Sequence, residues 1–83
     1  MSLPTKKVIV PVVAYYDKEG NITPLKIIWK NNILYSIDKI TQKIPAASLK
    51  SGGYGMRYTC MIHGHVRYLY LEETRWFIEK RDD

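Results

Sequence analysis

In several segments of this chain apolar and polar residues alternate with a period of two, the repeat of a strand that buries one face, and others are short apolar runs bounded by turn signals. Leu25, Ile27 and Trp29 fall on one side of such a strand and Lys26 on the other. Met56, Tyr58, Cys60 and Ile62 fall opposite Arg57, Thr59 and Met61. The pattern predicts strands over residues 8–16, 22–29, 33–37, 56–62, 66–71 and 75–80. Turn signals separate them: Asp17-Lys18-Glu19-Gly20-Asn21, Asn31-Asn32, His63-Gly64-His65 and Glu72-Glu73-Thr74. Asparagine and glycine suit such turns because they tolerate positive φ. Over residues 37–44 two readings compete. Ile37, Ile40 and Ile44 fit one helical face that Pro45 would end, and the same residues fit a strand continuing to Lys43. The strand is the reading carried forward. Residues 45–55 are expected to be irregular, since Ser51-Gly52-Gly53-Tyr54-Gly55 is costly to hold in a regular element.

Six strands joined by short turns predict an all-β fold, an antiparallel meander that closes into a small barrel or forms one strongly twisted sheet. Pro11 lacks the N–H that a ladder needs, so the first strand is expected to lie at an edge or carry a bulge. The whole chain, 1–83, is read as one small β domain. Its 46% hydrophobic content is far too high for disorder, and seven tyrosines, two tryptophans and one phenylalanine supply core volume.

Cys60 is the only cysteine, so no internal disulfide staples the chain, which suits a reducing, cytoplasmic setting. Lys6-Lys7 before the apolar run 8–16 has the look of a short signal peptide. Pro11, the β-branched composition and Asp17-Lys18-Glu19 at the cleavage position argue against it. Nine apolar residues also fall short of the roughly 20 that span a bilayer as a helix, so no membrane association is expected. The acceptor pattern Asn21-Ile22-Thr23 has no consequence in a cytoplasmic chain. The net charge of +5 admits an anionic partner, but the basic residues are scattered and Lys6-Lys7 is the only lysine pair.

Cys60, His63 and His65 form the sharpest chemical string, C-x2-H-x-H, whose thiolate and imidazoles would suit zinc. A site needs further ligands, and no second cysteine or acidic residue stands nearby. Cys60 also shares its face with Met56, Tyr58 and Ile62, which favours a core cysteine and a solvated turn. Alternation places His63 opposite Cys60, which argues against a thiol–imidazole nucleophile. Lys50-Ser51-Gly52-Gly53-Tyr54-Gly55 could offer backbone N–H groups to a phosphate, but it matches neither a P-loop nor a dinucleotide fingerprint. Glu72-Glu73 is an adjacent pair whose carboxylates diverge on a strand or turn, unlike a general acid and base. No catalytic residue, metal or cofactor is assigned.

A binding role is what remains. Arg57, Tyr58, Arg67, Tyr68, Tyr70, Arg75 and Trp76 crowd the last three strands, where rings could stack on bases and arginines meet phosphates. Alternation divides them between two faces. Tyr68-Leu69-Tyr70-Leu71 and Trp76-Phe77-Ile78 make strands apolar on both faces, which need a second layer of cover. A second copy of the chain is the simplest cover, with two-fold symmetry. The landmarks Pro24, Trp29 and Tyr35-Ser36-Ile37, with Tyr68-Leu69-Tyr70 and Arg75-Trp76-Phe77-Ile78-Glu79, resemble a small bacterial β-rich domain family of unknown function over residues 22–80. That resemblance implies no activity and no catalytic residues. Some members are similar to segments beside translesion DNA polymerases, which adds slightly to the nucleic-acid idea. The expectation is a non-enzymatic accessory domain that acts through protein interaction or self-association as a homo-oligomer. The alternative is a weak single-stranded nucleic-acid binder.

Overall fold

A computed structural model describes residues 5–46 and 55–81. The chain is all-β, with eight strands: β1 (Thr5–Ile9), β2 (Val12–Tyr16), β3 (Ile22–Ile28), β4 (Leu34–Ser36), β5 (Lys39–Pro45), β6 (Gly55–Ile62), β7 (His65–Glu72) and β8 (Arg75–Arg81). All neighbours pair antiparallel in two sheets, one of five strands in the order β1-β8-β7-β6-β5 and one of three in the order β2-β3-β4. This corrects the expectation of six strands in a closed barrel or a single twisted sheet. Of residues 37–44, read as strand rather than helix, Lys39 onward is strand and runs on through Pro45, while Ile37 and Asp38 form a corner. The glycine-bearing stretch 50–54 lies outside the described residues.

The two extra strands come from two sharp exchanges of partner. The expected strand over residues 8–16 divides at Val10-Pro11. Val10 N–H donates to the Trp76 carbonyl of β8 at 3.0 Å, and the Pro11 carbonyl accepts from Ile28 of β3 at 2.9 Å. One extended segment thus leaves the large sheet and joins the small one with its hydrogen bonds kept. Proline is tolerated there because the position has no ladder donor to lose. The second exchange follows β4. Ile37 N–H donates to Leu25 O at 2.9 Å, and Asp38 N–H, one residue on, donates to Met61 O at 2.8 Å. Register shifts between Val13 and Ala14 and between Ile40 and Gln42 mark bulges, which bend strands and add twist near these corners.

Turn chemistry follows the residues. Asp17 Oδ1 accepts from the backbone N–H of Glu19 at 2.9 Å and of Asn21 at 2.8 Å, and Gly20 takes φ +90°. Asn31 and Asn32 take φ 65° and 61° in a short 3-10 turn over Lys30–Asn32. His63-Gly64 and Glu73-Thr74 are two-residue hairpin turns, with φ 51° at His63 and 55° at Glu73.

The core lies between the sheets: Val10, Ile27, Tyr58, Cys60, Leu69, Leu71 and Trp76 are buried together, with Pro24 fully enclosed beside them. Tyr58 spans the layers. Its ring sits 5.5 Å from that of Trp76, and its hydroxyl donates to Ile22 O of β3 at 2.6 Å. A phenol with one polar end is suited to this place because the end finds a partner across the core. Tyr58→Phe keeps the ring and leaves the Ile22 carbonyl short of a donor. The expected loss is about 1–2 kcal/mol of stability, read as a lower midpoint in urea titration with an unchanged slope.

Candidate binding surfaces

The seven basic and aromatic candidates do not form one surface. Tyr58 and Trp76 point inward and belong to the core. Arg57, Tyr68, Tyr70 and Arg75 take the opposite parity and face outward on the five-stranded sheet. Arg67 has the inward parity of Leu69 and Leu71, yet it is exposed, beyond the point where β7 and β8 pair. The structure therefore brings four of the seven together and separates three.

On that outer face the rings already have partners. Tyr70 stacks on Phe77, with centroids 5.0 Å apart and planes within 5°. Lys7 Nζ stands 4.4 Å from the centre of the Phe77 ring and 3.7 Å from Glu72. Arg57 lies 5.0 Å over the Tyr68 ring, and its Nε is buried without a hydrogen-bond partner among the described residues. Burial and the Glu79 carboxylate hold the Tyr70 phenol above its ordinary range, with Arg57 pulling the other way. Phe77 and Lys7 were not among the sequence candidates. Phe77 faces outward yet is only 3% exposed, and only the register Tyr70↔Phe77 shows what covers it. Tyr68, at 49%, offers the largest accessible ring of this group.

The zinc-like string is divided in the same way. Cys60 has no exposure, and its Sγ lies 3.7 Å from the Tyr58 carbonyl as a weak donor. His63 and His65 flank the hairpin tip in solvent. Among the described residues no three of His, Cys, Asp and Glu gather into a potential metal set. His63 has structural contacts instead: its N–H donates to Asp38 Oδ2 at 3.0 Å, and its ring meets Tyr35 edge-on at 5.5 Å. These fasten the β6–β7 tip to the second corner.

Two further surfaces become visible only in three dimensions. A cleft of about 620 Å³ opens between the sheets, with Ile27, Trp29, Ile62 and Ile78 as its apolar floor. Its rim carries His63, His65, Arg67 and Glu79. The second is the outer face of the three-stranded sheet. Inward-facing Val12, Ala14 and Ile27 pack on the core, which turns Val13, Tyr15 and Leu34 outward. Leu25, expected on the face of Ile27, is the extra residue of the bulge opposite Val13/Ala14 and faces outward too, each of the four being 43–56% exposed.

No family model matches this chain, and no curated protein or solved structure is significantly similar to it. No helix among the described residues is long and apolar enough to cross a membrane.

Burial gives one measurable consequence. Desolvation raises the Cys60 thiol from its ordinary 9.0 to about 11, and it raises the Tyr58 phenol as well. Both groups are acids that the fold keeps protonated, so the unfolded chain releases these protons first. Their contribution is complete below the unfolded values of 9.0 and 10.0 and is lost as pH rises through the folded values. Melting temperature should fall between about pH 9 and 11, and Cys60→Ala should make that fall shallower. At pH 8 an aromatic disulfide reagent should label Cys60 only when denaturant is added.

Proposed function

We propose that this chain is a non-enzymatic, cytoplasmic association domain that acts through protein contacts, first among them with a second copy of itself. The observation that carries this reading is the apolar outer face of the three-stranded sheet. Val13, Tyr15, Leu25 and Leu34 stand exposed on it, around Lys26 of the central strand, which pairs with Val13 on one side and Ser36 on the other. Contiguous exposed apolar residues on a small domain mark a contact surface more often than an idle one. A two-fold axis would lay this face on its own copy, so that one patch covers both. The charge of +5 per chain opposes such pairing at long range, so added salt should strengthen it by screening.

Sedimentation equilibrium at micromolar protein and physiological salt should give a mass approaching twice 9.7 kDa. The double substitution Leu25→Glu with Leu34→Glu should return the monomer without loss of strand signal in circular dichroism. A wild-type monomer over the whole concentration range would overturn self-association.

Single-stranded nucleic acid is the second reading, favoured by Arg57, Tyr68, Tyr70 and Lys7 on one face of the large sheet. Fluorescence anisotropy with a labelled thymidine oligonucleotide should show affinity that declines as salt rises. Tyr68→Ala should cost about 1–3 kcal/mol if its ring stacks on a base. Affinity indifferent to both changes would remove this reading.

A further inference from the structure

Two open sheets leave four outer strands, β1 and β5 in the large one and β2 and β4 in the small one. Three of the four carry features that discourage pairing with another chain. β1 holds Lys7, β5 holds Lys39, Lys43, a bulge and a terminal Pro45, and β4 is only three residues long. Lysine, proline, bulges and shortness all blunt an exposed edge. β2 has none of them. Its sequence, Val12-Val13-Ala14-Tyr15-Tyr16, is uncharged throughout and dominated by β-branched and aromatic residues that favour strands. The irregularity beside it belongs to β3, where Leu25 is the extra residue.

Two hydrogen bonds fix which backbone groups of β2 face away from its sheet. Ile28 N–H donates to Pro11 O at 2.9 Å, and Asp17 N–H donates to Asn21 O at 3.0 Å. Pro11 and Asp17 bracket β2, and both bond on the β3 side. Direction alternates along a strand, so Val13 and Tyr15 bond toward β3 as well. Ala14 stands opposite Pro24, which has no N–H to offer it. Val12, Ala14 and Tyr16 therefore aim their N–H and C=O at the other edge. On that side β8 serves the segment only as far as Val10, whose N–H reaches Trp76 O, and β8 itself begins at Arg75. Among the described residues no strand lies beside β2 there.

We propose that β2 pairs antiparallel with β2 of a second copy of the chain, joining two sheets of three strands into one of six. This deepens the self-association reading by naming a strand contact distinct from the one made by the sheet face. A second copy is the occupant that matches the edge. The strand has no charge with which to select a foreign sequence, and none with which to repel itself despite +5 per chain. Its side chains are also self-complementary. With the two-fold axis at Tyr15, each Ala14 lies opposite Tyr16 of the other copy. Tyr16 has the inward parity of Val12 and Ala14 yet is 63% exposed, so its ring has room to lie over the small Ala14 side chain. Each such pair exchanges both its N–H···O bonds, as a hydrogen-bonded antiparallel pair does. On the opposite side, Val13 and Tyr15 of the two copies make the apolar outer face continuous across the axis.

Disulfide trapping in the full chain tests the contact, because Cys60 is buried and an introduced thiol is the accessible one. In this register Tyr15 faces its own copy in a non-hydrogen-bonded pair, with Cα atoms about 4.5 Å apart, within the reach of a disulfide. Tyr15→Cys at submillimolar protein, oxidised with diamide, should form covalent dimer roughly tenfold faster than Tyr68→Cys, a similarly exposed position on the other sheet. The same trapping should persist when Leu25→Glu and Leu34→Glu are added to remove the face contact. Adding Ala14→Pro to that variant should return the rate to that of Tyr68→Cys. The Ala14 N–H is not used by β3, and proline is tolerated on such an edge. Circular dichroism checks that the proline variant folds, and the Leu25 and Leu34 arm decides the matter if it does not. Equal rates for the two cysteine variants would overturn the strand contact. Loss of trapping with the two glutamates would overturn it as well, leaving the sheet face as the surface of self-association. So would trapping that persists in a folded Ala14→Pro variant. The face contact is read separately by sedimentation mass, so either can fail without the other.

Discussion

Backbone hydrogen bonds must stay satisfied where a strand leaves one sheet for another, and the rest of this structure depends on how two corners meet that demand. At Val10-Pro11 and at Ile37-Asp38, neighbouring residues bond to opposite sheets. Each extended segment thus serves both layers without an irregular, unpaired stretch between them. A buried unpaired backbone group costs as much as a lost hydrogen bond, so a loose crossing here would consume much of a small domain's stability. The corners also set the layers face to face, which creates the core between them.

That core is small and aromatic. Tyr58 and Trp76 fill the space between the layers, and the Tyr58 hydroxyl reaches the Ile22 backbone on the far sheet. Gly55 has a related role at the start of β6. A side chain there would meet the Leu71 carbonyl at 2.6 Å, and that contact is backbone, which cannot swing aside. The close approach of β6 to β7 at this end contrasts with the opening between β7 and β8 at the other. The sheet is tight where its strands pair along their length and open where β8 is drawn away to β1.

Function follows from what the layers leave uncovered. Residues that would make an attractive nucleic-acid surface in one dimension are divided by strand parity, with Tyr58 and Trp76 enclosed and Tyr70 and Phe77 stacked on each other. The outer face of the three-stranded sheet stays accessible and largely apolar around Lys26, while on the large sheet Tyr68 keeps an exposed ring. An exposed apolar sheet face suits a protein partner by area. A small unstapled chain also gains most from such partners, because its own burial is limited.

The sequence by itself determined the strand class, the hairpin turns and the shared face of Cys60 and Tyr58, while the enclosure of Trp76, a candidate for the binding surface, came only from the structure. The first three are local properties, set by a period of two and by residues that accept positive φ, so neighbours in the chain suffice to read them. The division of residues 8–16 was hidden because alternation is unchanged when an extended segment exchanges one hydrogen-bonding partner for another. Pro11 signalled a missing donor there, but an edge, a bulge and a corner all accommodate that. The cover over Phe77, the cleft lined by Trp29 and Ile78, and the point where β8 leaves β7 for β1 were decided only by the tertiary structure. Each depends on which strand lies beside which and for how many residues, a long-range quantity that no local pattern encodes.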